Sequence, residues 1–144
     1  MASIPFHYVD LRAFSYVTEH DRRVEDALRL FVPEDIEITR TESAGHHGDR
    51  ILVLSARVEN ADGVGTVLDR LGDLPEADRN RLEAELAERV DEDTSFHVTL
   101  DKQAAFNGDV RLGQGITLRG KAEAYPATRA GAIEAVDETL DEVL

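Results

Sequence analysis

An α+β fold, with a largely antiparallel sheet and helices packed on one face, is predicted for this 144-residue chain from three observations. Two pairs of alternating apolar/polar stretches follow each other with no helix between, so hairpins rather than parallel crossovers connect them. Stripes at helical spacing fall between these pairs and at the C-terminus. Pro33, Pro75 and Pro126 punctuate the transitions. The expected order is β-α-β-β-α-α-β-β-α, which lacks the strict alternation of a parallel sheet.

The elements follow in turn. Phe6–Val17 reads as a strand, with Val9, Leu11, Ala13 and Val17 on one face. Asp21 to Val32 reads as a helix with Val24, Ala27, Leu28 and Phe31 inward, stopped by Pro33. Strands Ile36–Glu42 and Arg50–Glu59 flank a loop with glycines at both shoulders. Asp62 is placed to cap a helix carrying Val64, Val67, Leu68 and Leu71, weakened in its first turn by Gly63 and Gly65. Pro75 opens a charged helix with Leu82, Leu86 and Val90. Thr94–Leu100 and Ile116–Tyr125 read as strands around a Gly-rich turn, Asn107 to Gly115. Thr128 caps a last helix lined by Ile133, Val136, Leu140 and Val143.

Hydrophobic residues at 42% suffice for one core, and the absence of cysteine removes disulfides, thiolate metal sites and cysteine nucleophiles. The longest apolar run, Ile51–Leu54, is far short of the roughly twenty residues of a membrane span. With no signal-like N-terminus, a soluble cytoplasmic protein is expected. Thirty acids against sixteen bases give a net charge of −14, and only Lys102 and Lys121 among the bases are lysine. An acidic, lysine-poor surface of this kind points to adaptation to molar intracellular salt. There the Debye length shrinks to about 3 Å, so net charge ceases to exclude a polyanionic partner.

Strand alternation fixes what the second face of the sheet carries: Arg12, Phe14 and Tyr16 from the first strand, Arg57 from the third, His97 and Thr99 from the fourth, and Arg119, Lys121 and Tyr125 from the fifth. Basic and aromatic groups mixed on one open face suit unstacked bases and phosphates. Acids concentrate elsewhere: residues 61–92 and 128–144 hold fifteen acids and five bases. The competing structural reading puts Phe14 and Tyr16 in a homodimer interface or second core and pairs the arginines with Asp10 and Glu123.

Two further segments invite chemistry. Gly45-His46-His47-Gly48-Asp49 offers imidazoles and glycine amides to a phosphate or base, whereas a metal would need better-spaced ligands. Asp101-Lys102-Gln103-Ala104-Ala105-Phe106-Asn107-Gly108 leaves a strand and retains a lysine where the chain otherwise uses arginine. Such a lysine can act as a compact charge on phosphate, with Gln103 reading a base edge. Its bland alternative is a solvated turn. Nucleotide-binding loops and hydrolase motifs are absent from the sequence. The catalytic alternative is a hydrolase or nuclease using His46, His47 or Lys102.

The strings Gly45-His46-His47-Gly48, Asp101-Lys102-Gln103-Ala104-Ala105-Phe106 and Glu123-Ala124-Tyr125-Pro126, with Thr18-Glu19-His20-Asp21 before the first helix, resemble an archaeal family described as RNA-binding proteins and predicted exosome subunits. The pattern departs at Asp49-Arg50. The resemblance implies a fold similar to that of the ribosomal protein that binds 5S rRNA. It further implies an archaeal cytoplasm and a role with RNA but without known catalysis. On the matched positions it implies RNA contacts at His46, His47, Lys102, Gln103 and Tyr125. Together these readings give a single RNA-binding-like domain over residues 1–144, with no cofactor and no metal. The expected partners are RNA and exosome or ribosomal components. A docking subunit without RNA affinity of its own is the rival reading.

Overall fold

The computed structural model describes residues 6–45 and 48–144. Five strands form one sheet in the order β2-β3-β1-β5-β4, every neighbouring pair antiparallel. They are β1 (Phe6–Ser15), β2 (Thr39–Ala44), β3 (Arg50–Val58), β4 (Ser95–Asp101) and β5 (Gly115–Ala122). Helices α1 (Asp21–Arg29), α2 (Ala61–Leu71), α3 (Glu76–Ala84), α4 (Leu86–Arg89), α5 (Lys102–Phe106) and α6 (Arg129–Val143) complete the chain. The α+β expectation therefore holds, with β1 in the centre of the sheet.

Alternation drives the layering. Val9, Leu11 and Ala13 of β1 are fully buried beneath the helices, as are Leu54 and Val58 of β3 and Leu100 and Ile116 from β4 and β5. Val24 and Leu28 of α1, Val64 and Leu71 of α2, and Val136 of α6 close over them. A buried leucine-sized side chain contributes about 1.5–3 kcal/mol, so this one apolar layer is the main source of stability.

Local chemistry moves several boundaries. Helix α2 is capped by Asn60, whose side chain accepts from the Gly63 amide at 2.6 Å, two residues earlier than the expected Asp62 cap. Thr128 caps α6 as expected, accepting from the Gly131 amide at 3.1 Å. The charged helix after Pro75 is interrupted at Glu85, splitting it into α3 and α4. Strand β2 begins at Thr39 rather than Ile36, because its ladder with β3 runs only from Thr39 opposite Ser55 to Ala44 opposite Arg50. Strand β5 ends at Ala122, opposite Phe6, so Tyr125 lies beyond the paired region. The segment after β4, for which a solvated turn was the alternative reading, is the short helix α5, opened by Asp101 accepting from the Ala104 amide at 2.9 Å.

Candidate nucleic-acid interface

Cross-strand register orders the helix-free face into rows. One row reads Arg57, Asp10, Arg119, His97 across β3, β1, β5 and β4. The next reads Thr39, Ser55, Arg12, Thr117, Thr99 across all five strands. Phe14, opposite Val53, lies two residues further along β1. Arg12, Phe14, Arg57, His97, Thr117 and Arg119 are all exposed, which places the predicted basic and aromatic groups on the uncovered side. Phe14 and Tyr16 form a tilted pair with ring centroids 6.3 Å apart. Two shallow grooves, of 260 and 240 Å³, lie on either side of Arg12.

The cations of this face are not equivalent. The Arg57 guanidinium donates to both carboxylate oxygens of Asp10, at 2.7 and 2.9 Å, and covers the Tyr8 ring at 4.0 Å from its centroid. That bidentate geometry uses its donors; the pairing of an arginine with Asp10 was the structural alternative, and at Arg57 it is what occurs. Arg119 donates to the Ser95 hydroxyl at 3.2 Å. Lys121 donates to the Asp93 carbonyl. Among the described residues Arg12, Arg119 and Lys121 have no carboxylate partner. His97 Nε2 lies 2.8 Å from Asp91 Oδ2, and this hydrogen bond holds the Asp91 carboxyl below its usual range.

Lys102 departs from its expected place. Rather than presenting a charge to solvent, it is 7% exposed. Its ammonium donates to the Phe14 carbonyl at 2.9 Å and to Glu19 Oε1 at 2.8 Å, and lies 5.2 Å from the Tyr16 ring centroid. Glu19 also accepts from the Tyr16 amide at 3.1 Å. Gly115, at φ +113°, leaves the space: a Cβ there would come within 2.5 Å of Lys102 Cβ. A phosphate contact at Lys102 is thus replaced by a positioning role, in which one ammonium ties α5 to the end of β1 that carries Phe14 and Tyr16. Glu19 was missed as its partner, although the scarcity of lysine marked the position.

The remaining expected contacts separate. Gln103 is exposed on α5, near the Phe14 end of the sheet. Tyr125, 91% exposed, borders a cleft with His7 and Lys121 at the opposite end, about 20 Å away along β1 at about 3.3 Å per residue. A single aromatic cluster joining Tyr125 to Phe14 and Tyr16 is therefore not formed. His46 and His47 lie outside the described residues. Beside them, Arg50 of the unusual Asp49-Arg50 pair bridges Asp21 at 3.0 Å and Glu42 at 2.8 Å, fastening β3 to β2 and to the start of α1. Among the described residues no helix is long and apolar enough to cross a membrane.

A family model described as RNA binding matches residues 8–122. The chain is 33% identical to the RNA-binding protein PAB1135 of Pyrococcus abyssi over 144 aligned residues, covering 94% of each. Among solved structures, protein AF2318 from Archaeglobus fulgidus superposes with a TM-score of 0.83 at 26% identity, over 92% of this chain and 98% of that one. Mth689, a DUF54 protein from Methanothermobacter thermautotrophicus, gives 0.78 at 33% identity, over 95% and 99%.

Proposed function

We propose, for a chain that belongs to this RNA-binding family, that RNA is held on the helix-free face of the sheet. Arg12, Arg119 and Lys121 meet phosphate, and Phe14 and Tyr16 stack on bases. The observation that carries this reading is the placement of those cations on one face, free of carboxylate partners among the described residues, with Arg12 two residues from the exposed Phe14 of an aromatic pair, in a chain of charge −14.

The reading is non-catalytic. His97 on the platform and Lys102 beneath its Phe14 end are each committed to a carboxylate, Asp91 and Glu19. The same proposal makes the protein a cytoplasmic accessory factor in RNA processing, beside exosome or ribosomal components. It works in molar salt, a reading supported by the excess of acids and the near-exclusive use of arginine over lysine. At such salt counterion release loses force, so stacking and bidentate arginine contacts carry affinity.

The test is binding of a labelled RNA in molar KCl by wild type, Arg12→Ala, Arg119→Ala and, as a control on the helical side, Arg70→Ala. Each of the first two substitutions lowers affinity about tenfold, as loss of a charge-assisted contact should, and the control binds as wild type. Equal binding by all four proteins overturns the assignment of the face. A protein that binds no RNA, but co-purifies with processing factors after nuclease treatment, is instead a docking subunit.

A further inference from the structure

Resting on that reading, we infer that the face takes a single strand rather than a duplex, and selects ribose over deoxyribose through a row of hydroxyls crossing the sheet. The row is Thr39, Ser55, Arg12, Thr117 and Thr99, in register from one edge strand to the other. With strands about 4.8 Å apart it spans about 19 Å. Arg12 is its only charge. The hydroxyls are nearly uncommitted within the chain: the one contact any of them makes among the described residues is that of Thr117 Oγ1 with the Arg12 carbonyl, at the long distance of 3.5 Å.

Three consequences follow from chemistry. First, a threonine or serine hydroxyl both donates and accepts, as does a ribose 2′-hydroxyl, so the two are mutually complementary, whereas deoxyribose presents only carbon there. Second, these side chains are short. They leave the grooves of 260 and 240 Å³ beside Arg12, one bordered by Thr39 and Ser55 and the other by Thr117, in which sugars can lie low. Third, the rows on either side supply what the rest of a nucleotide needs. Arg119 is diagonal to Arg12 on the neighbouring strand, about 7–8 Å away between backbones, a separation that suits successive phosphates of one extended strand. Phe14 lies two residues beyond Arg12, its ring presenting a face to a base.

A duplex fits this arrangement poorly. Its bases are already stacked and offer only edges, so Phe14 and Tyr16 find no ring face to cover. Its two strands require cations reaching both backbones, whereas here the cations free of carboxylates on the face, among the described residues, lie on two neighbouring strands, Arg12 on β1 and Arg119 and Lys121 two residues apart on β5.

The experiment compares one unstructured sequence as RNA and as DNA with an RNA hairpin of equal length, all in the same molar KCl. Wild type, Arg12→Ala and the double variant Thr99→Val/Thr117→Val are used. Wild type binds the single-stranded RNA about tenfold more tightly than the DNA, the worth of two net hydrogen bonds, and more tightly than the hairpin by a similar factor. The valine variant, altered only on the solvent-facing side of two strands, binds RNA as weakly as DNA, with its DNA affinity unchanged. Wild-type binding of DNA or hairpin as tight as that of single-stranded RNA overturns the inference. If Arg12→Ala still weakens binding in that case, the RNA face stands and only its selectivity is wrong. If Arg12→Ala binds as wild type, the face itself is wrong.

Discussion

Replacing Lys102 with Met removes an ammonium that makes two short hydrogen bonds, to the Phe14 carbonyl at 2.9 Å and to Glu19 at 2.8 Å, where the paired side chains are 8% and 18% exposed. Methionine keeps most of the stem packing against Gly115, so the change is chiefly electrostatic. Breaking a buried pair by removing one partner costs about 3–5 kcal/mol. Glu19 retains the Tyr16 amide and some access to water, which puts the loss at the lower end, about 3 kcal/mol. For a chain of this size each kcal/mol moves the melting temperature about 2–4 °C, so a fall of about 9 °C is expected. Molar salt should alter it little, because a buried pair is weakly screened. The assay is thermal melting followed by far-ultraviolet circular dichroism, with Lys102→Met/Glu19→Gln as the second variant. Removing the stranded carboxylate should recover part of the loss, so the double variant melts higher than Lys102→Met alone. A Lys102→Met protein melting within about 1 °C of wild type refutes the argument.

Other expectations follow from the same geometry. Phe14→Ala should weaken RNA binding by about 10- to 100-fold, since a base–aromatic stack contributes about 1–3 kcal/mol. It should lower the melting temperature by only a few degrees, because Phe14 is 37% exposed and the part of its ring that is covered contributes about 1–2 kcal/mol; fluorescence titration with a melt checks both. Gly115→Ala should lower stability by about 1–3 kcal/mol, because φ is +113° and the new methyl meets Lys102; urea unfolding measures it. Asp91, Asp21 and Glu85 are held below their usual carboxyl range, chiefly by hydrogen bonds from His97, Arg50 and Arg81 respectively. The unfolded chain therefore binds more protons, so their stabilisation is complete above the unfolded values of about 3.9–4.3 and is lost as pH falls through the lower folded values. Urea midpoints should fall modestly below about pH 4, since these carboxyls lie at the surface, and Asp91→Asn should make that fall shallower.

What the residues disclose in advance depends on range. The exposed face was legible because a period of two assigns Arg12, Phe14, Arg57 and Arg119 to one side as soon as Val9, Leu11 and Ala13 are assigned to the other. That argument uses only neighbours in the chain. The fate of each cation is decided at longer range. Arg57 meets Asp10 across 47 positions, and Lys102 meets Glu19 across 83, neither separation carrying any periodic signal. Helix α5, at five residues, is too short to show a 3.6-residue period. Its one signal was Asp101 placed to cap three residues ahead, and that signal is shared with turns. Strand order was equally out of reach. Only with β1 between β3 and β5 does Tyr125 fall at the far end of the sheet from Phe14 and Tyr16.

The most direct test of the central claim is ultraviolet crosslinking of the purified full-length protein to RNA in molar KCl, with the linked peptides identified by mass spectrometry. Crosslinks are expected at Phe14 near the end of β1, at Tyr16 just beyond it, and on β5 around Arg119 and Lys121, reduced when Arg12→Ala is used. Crosslinks confined to the helical side, at α2, α3 or α6, would contradict it.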